Sequence, residues 1–241
     1  MALPSRVAVI LVHGGASSSR MYSKMEPILQ ESYHYEHVYI PDLPGHGKEY
    51  HDKPFSFEKS TNALHELIQG IRSSDAKLLI LIVGISLGGQ AVLDLIRKYP
   101  TDVDSAVISG ASIMPPDASA SWEMPRLPMD DPDWMKIIME DAGHWPPEEA
   151  QELQKCSFGF EFTPDPTTNT SASILILRGQ HDTPMANRDF DSLVQRARSY
   201  STSKHTTGQI LEGAWHNHSV DIPSEFTKVV DSWSKTVFAD E

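Results

Sequence analysis

Short apolar runs alternate with amphipathic stretches along almost the whole chain. Val7–Val12, His37–Ile40, Leu78–Val83, Ala106–Ser109, Ser173–Leu177 and Gln209–Leu211 predict strands. Their near-continuous Val, Ile and Leu character suits a parallel sheet covered on both faces, because a half-exposed strand would alternate apolar and polar positions. Between the runs, apolar side chains recur at helical spacing. Leu64, Leu67, Ile68 and Ile71 form one stripe, and Val92, Leu95, Ile96 and Tyr99 a second. Phe190, Leu193, Val194 and Ala197 form a third, and Phe226, Val229, Val230, Trp233 and Val237 a fourth. Each stripe predicts a helix packed on the sheet. The alternation predicts an α/β fold with a mostly parallel, doubly wound sheet and helices on both faces.

One stretch breaks this rhythm. Residues 113–170 hold nine of the 17 prolines, five of the nine methionines and three of the five tryptophans. A segment so rich in Pro and large flexible apolar groups, lying between two sheet strands, predicts a small irregular or helical cap. The core is then 1–112 with 171–241, and the cap 113–170. Trp122, Met124, Met129, Trp134 and Met135 have two readings. They line a substrate pocket under a lid, or they attach the insertion to the body. Both stay open at this stage. No internal repeat or linker points to a second independent domain, and 241 residues fit one.

Composition narrows the partners. The net charge of −13 argues against nucleic acid and anionic membranes, both of which call for basic patches. No apolar run approaches the roughly 18–20 residues of a membrane span, and no leader with a long apolar segment is read at the N-terminus. The single cysteine, Cys156, excludes an internal disulfide and fits a reducing compartment. The expectation is a cytoplasmic protein, monomer or homodimer, acting on a small molecule without a cofactor or metal.

The chemistry is announced by Gly84-Ile85-Ser86-Leu87-Gly88, set between the run Leu78–Val83 and a helical pattern. Strand, sharp turn and helix with a serine at the turn is the nucleophile elbow, which forces the hydroxyl to the top of a sheet. His13-Gly14-Gly15 follows the first strand, and Pro41-Asp42-Leu43-Pro44-Gly45-His46-Gly47 follows the second. Arg178-Gly179-Gln180-His181-Asp182 closes a later strand, and Gly213-Ala214-Trp215-His216 precedes Pro223 and Glu225-Phe226. With these motifs in this order, the chain resembles the α/β-hydrolase superfamily, serine-nucleophile branch, over nearly its whole length. Its short lead into the first strand is similar to the compact methylesterase and hydroxynitrile-lyase members.

The resemblance implies an α/β-hydrolase fold and a Ser-His-Asp triad of Ser86, His216 and Asp182. A serine hydroxyl is a weak nucleophile at neutral pH, so a base must take its proton during attack. His216 would serve as base and then acid, and Asp182 would orient it. The backbone N–H groups of Leu87 and Gly15 would form the oxyanion hole. His218 competes with His216, but the family places a proline seven residues after its histidine, and Pro223 fits His216. His218 is then expected in the pocket or its loop. Ile85 stands where the family often has His, which blurs the subfamily. The implied activity is hydrolysis of a small, mostly apolar carboxylic ester or lactone. A C–C hydrolase or lyase using the same triad, and a ligand receptor that retains it, are the alternatives.

Overall fold

The computed structural model describes residues 3–113, 131–165 and 167–239. Six parallel strands form one sheet: β1 (Val7–Val12), β2 (His37–Tyr39), β3 (Leu79–Ile85), β4 (Ser105–Ser109), β5 (Ser173–Gly179) and β6 (Thr207–Leu211), in the order β2-β1-β3-β4-β5-β6. All six predicted strands are present. The ends differ by a residue or two, with one useful departure: β3 continues past Val83 to Ile85, directly beneath Ser86.

Strand periodicity divides the core. Ala8, Ile10 and Val12 point into one apolar layer, and Val7, Val9 and Leu11 into the other. The first layer holds α2 (Phe57–Ser74), α3 (Leu87–Lys98) and α6 (Pro184–Tyr200). α2 begins where the Ser56 hydroxyl accepts the Lys59 N–H at 3.2 Å, and it buries Leu64, Ile68 and Ile71. The second layer holds a single turn, α1 (Met25–Pro27), and the last helix, α8 (Pro223–Val237), with a four-residue turn, α7 (His218–Asp221), leading into it.

Between β4 and β5 run α4 (Pro132–Gly143) and α5 (Pro147–Phe158). Each begins with proline, whose missing N–H costs nothing at a helix start. Trp122, Met124 and Met129 lie outside the described residues. Trp134 is buried in the layer shared with α8. Met135 is half-buried. Among the described residues no helix is long and apolar enough to cross a membrane.

Candidate active site

From β1 the chain moves outward to β2, then returns past β1 to β3. The loops leaving β1 and β3 therefore diverge at the carboxyl ends of adjacent strands, where open parallel sheets bind their ligands. Ser86 sits at this point. Turning from strand to helix within one residue puts it at φ 55° and ψ −119°, a strained backbone for a residue with a Cβ. The turn also needs bare neighbours. A Cβ on Gly84 would strike the Gly88 backbone, and one on Gly88 would strike the carbonyls of Val12 and His13. The G-x-S-x-G spacing is thus a packing requirement of the elbow against β1. Ser86 itself stays half-exposed, and its N–H donates to Ser109 O at 2.8 Å.

Asp182 and His216 come together from the loops after β5 and β6. His216 Nδ1 lies 2.6 Å from Asp182 Oδ1, which also accepts the Thr183 N–H at 2.7 Å. Asp182 Oδ2 accepts the Gly179 N–H at 3.2 Å. The N–H groups of Gln180 and His181 donate to the carbonyls of Leu211 and Ala214, which ties the two loops to each other. Burial alone would raise the Asp182 pKa. The His216 charge and hydrogen bond, nearby His218 and the Thr183 N–H outweigh it and hold the carboxyl below its ordinary value. An ionised carboxylate only accepts, so the proton between the two lies on His216 Nδ1.

Gly110 joins this pair to the elbow. It holds φ 60°, and a Cβ there would lie 3.0 Å from His216 Nδ1 and 3.2 Å from Asp182 Oδ2. Its neighbour Ser109 is the residue whose carbonyl accepts the Ser86 N–H. One strand end therefore touches all three expected triad members. Among the described residues His216 bonds Asp182 and makes no hydrogen bond to Ser86 Oγ, a contact that in such sites commonly tightens with substrate bound.

The loop after β1 is pinned from several sides. His13 is fully buried, with Nδ1 2.8 Å from Gly14 O, and its Nε2 accepts the Leu43 N–H at 2.9 Å. Burial lowers its pKa, so it stays neutral in this tether. Asp42 accepts the Lys48 N–H of its own loop at 2.9 Å and the Ser19 N–H at 2.6 Å. The Gly14 N–H points to Met21 Sδ at 3.2 Å. Gly15 faces the elbow helix, where a Cβ would lie 3.5 Å from Leu87 Cδ2. Leu87 opens α3, so its N–H has no carbonyl one turn back within the helix.

His218 lies in the loop after β6, and Trp134 in the first helix of the insertion. His218 has no exposed surface: its Nδ1 is 2.5 Å from Ser109 Oγ and its ring packs on Phe226 at 5.6 Å. Burial pushes its pKa down to about 4, so it is a neutral group behind the dyad. Trp134 is buried and packs in the layer shared with α8. Sequence reasoning missed Ser109, Gly110 and Leu153. Leu153 Cδ2 lies 3.7 Å from where a Gly15 Cβ would be. None of the three sits in a local motif; tertiary contact alone reveals them. Among the described residues no three His, Cys, Asp or Glu side chains group as a metal site.

The profile of the alpha/beta hydrolase family matches residues 9–229. The chain belongs to the alpha/beta hydrolase family. This alpha/beta hydrolase is 32% identical over 114 residues to an AB hydrolase superfamily protein of Gibberella zeae, covering 47% of this chain and 39% of that one. It is 32% identical over 122 residues to the pimeloyl-[acyl-carrier protein] methyl ester esterase of Aromatoleum aromaticum, covering 49% and 44%. The matches thus span less than half of either relative. In three dimensions it resembles a carboxylesterase of the thaumarchaeon Nitrososphaera gargenis, with a TM-score of 0.75 at 13% identity over 99% of this chain and 93% of that one. At that identity the likeness is one of fold.

Proposed function

We propose that this alpha/beta hydrolase is a serine hydrolase that cleaves a small, mostly apolar carboxylic ester or lactone through an acyl-enzyme on Ser86. The observation that carries this reading is the buried Asp182–His216 hydrogen bond, joined through Gly110 and Ser109 to the strained Ser86 turn. His216 Nε2 takes the Ser86 proton as Oγ attacks the acyl carbon. Asp182 holds the tautomer and stabilises the imidazolium. The carbonyl oxygen becomes an oxyanion that accepts hydrogen bonds from the Gly15 and Leu87 N–H groups, each worth about 3 kcal/mol in the transition state. The intermediate collapses, His216 protonates the departing alcohol oxygen, and the acyl group remains on Ser86. Water, deprotonated by His216, then releases the acid and restores the serine.

In this reading the 113–170 segment is the cap, with α5 lying beside the oxyanion loop. The esterase names among the similar proteins support an ester substrate. His216→Ala and Asp182→Asn are each expected to lower kcat on a p-nitrophenyl ester by about 10⁴-fold. His218→Ala is expected to cost far less than His216→Ala. The reverse order would move the base to His218 and overturn the assignment.

A further inference from the structure

A buried amide links α3 to the start of the insertion and to α5 within it. Gln90 lies one turn into α3, where its N–H donates to Ser86 O at 3.1 Å. Its side chain is 2% exposed. Gln90 Nε2 donates to Ser112 O at 2.8 Å and to Ser157 O at 3.0 Å, and Gln90 Oε1 accepts the Ser157 hydroxyl at 2.8 Å. Two carbonyls on one side and a hydroxyl donor on the other leave a single favourable orientation of the amide. Ser112 lies just after β4, and Ser157 is in the last turn of α5.

Ser157 and Leu153 are four residues apart, so they share one face of α5. The turn that Gln90 grips is therefore next to the turn that sets Leu153 against Gly15. Two hydrogen bonds from one rigid amide to one residue fix both the rotation and the rise of the helix. A 1 Å slip or a modest rotation of α5 would carry Leu153 away from the oxyanion loop.

We propose that Gln90 is a positioning residue that sets the size of acyl group this enzyme accepts, by clamping α5 so that Leu153 walls the acyl site beside Gly15. The proposal rests on the serine-hydrolase reading of Ser86. Leu153 is the contact with substrate, and Gln90 acts through it.

The test compares kcat/KM for p-nitrophenyl acetate and octanoate in wild type, Leu153→Ala, Gln90→Met, Ser157→Ala and the Leu153→Ala/Gln90→Met double variant. Leu153→Ala is expected to raise the octanoate-to-acetate ratio by about tenfold or more. Gln90→Met and Ser157→Ala are expected to move it the same way. In the Leu153→Ala background, Gln90→Met is expected to move it by less than about twofold, because its route is already gone. A merely structural loss would instead be additive, and additivity, or ratios equal to wild type, overturns the proposal. If Gln90→Met does not fold, Ser157→Ala carries the same expectation at a half-buried site. Hydrogen exchange supplies an arm that needs no turnover: α5 amides are expected to exchange about tenfold faster in Gln90→Met and Ser157→Ala than in wild type. Unchanged α5 exchange overturns the clamp even if neither ester is hydrolysed. Absence of turnover and of Ser86 labelling in wild type, with α5 loosened, counts against the serine reading instead.

Discussion

Ser86 is held in a backbone conformation costing on the order of 1–3 kcal/mol, and its surroundings are arranged around that cost. Gly84 and Gly88 admit the turn, Ser109 binds its N–H, and Gly110 makes room for the His216–Asp182 pair. Gly110 gives the sharpest test at this scale. Gly110→Ala puts a methyl 3.0 Å from His216 Nδ1 and an L side chain at φ 60°. The backbone cost is roughly 1 kcal/mol, which the fold tolerates, but the dyad must shift. A fall in kcat of about 10²-fold is expected, with a circular dichroism spectrum like wild type. Full activity in Gly110→Ala would show that the dyad does not need this contact. Ser86, Asp182 and His216 stand out in the sequence because each lies shortly after a strand inside a local motif. Ser109, Gly110 and Gln90 do not, because their importance lies in what they touch across 22 or more residues of chain.

The strands were legible for a physical reason: four of them, β1, β3, β4 and β5, lie inside the sheet and carry near-continuous apolar runs, so little polar alternation blurs them. The helices of the core were legible as stripes. The roles of the insertion's residues were not, because its conspicuous side chains do not share one place. Trp134 goes to the core, Met139 is 67% exposed, and Trp145 packs on His46 at 4.8 Å between ring centres. Unremarkable Leu153 reaches Gly15 in the loop after β1 instead. The insertion's polar residues hold its place. Ser18, just past Gly14 and Gly15, donates its hydroxyl to Asp141 at 2.7 Å, and Arg20 pairs with Asp141 and with Glu140. Lys53 reaches Glu149 and the His144 carbonyl. Asp141→Ala would leave the buried Ser18 hydroxyl without its acceptor, at a cost of about 1–3 kcal/mol. Thermal unfolding of Asp141→Ala is expected to show that loss. A melting temperature equal to wild type would mean that α4 is held by its apolar contacts alone.

Across the whole molecule, three fully buried histidines make stability depend on pH. Burial lowers the pKa of His13, takes His218 to about 4 and His46 to about 3. In the unfolded chain each titrates near 6.5. Between those values the unfolded chain binds protons that the native state refuses, so stability is full near pH 7 and falls as pH drops toward 4. For His218 alone the difference amounts to about 3 kcal/mol at the bottom of the window. The Asp182 carboxyl, held below its ordinary value, adds a loss in the same direction at still lower pH. A melting temperature that declines from pH 7 to 4.5, with a shallower slope in His218→Gln, is expected. A flat profile over that range would contradict neutral burial of these rings.

The six-strand order places Ser86 at the point where the strand order reverses, and the proposed function requires its hydroxyl to be activated. The most direct measurement is fluorophosphonate labelling read by intact mass, alongside turnover of short and long p-nitrophenyl esters, in wild type and Ser86→Ala. The predicted result is a single label and many turnovers in wild type, with both lost in Ser86→Ala. Neither label nor turnover in folded wild-type protein, or a label that persists in Ser86→Ala, would contradict it.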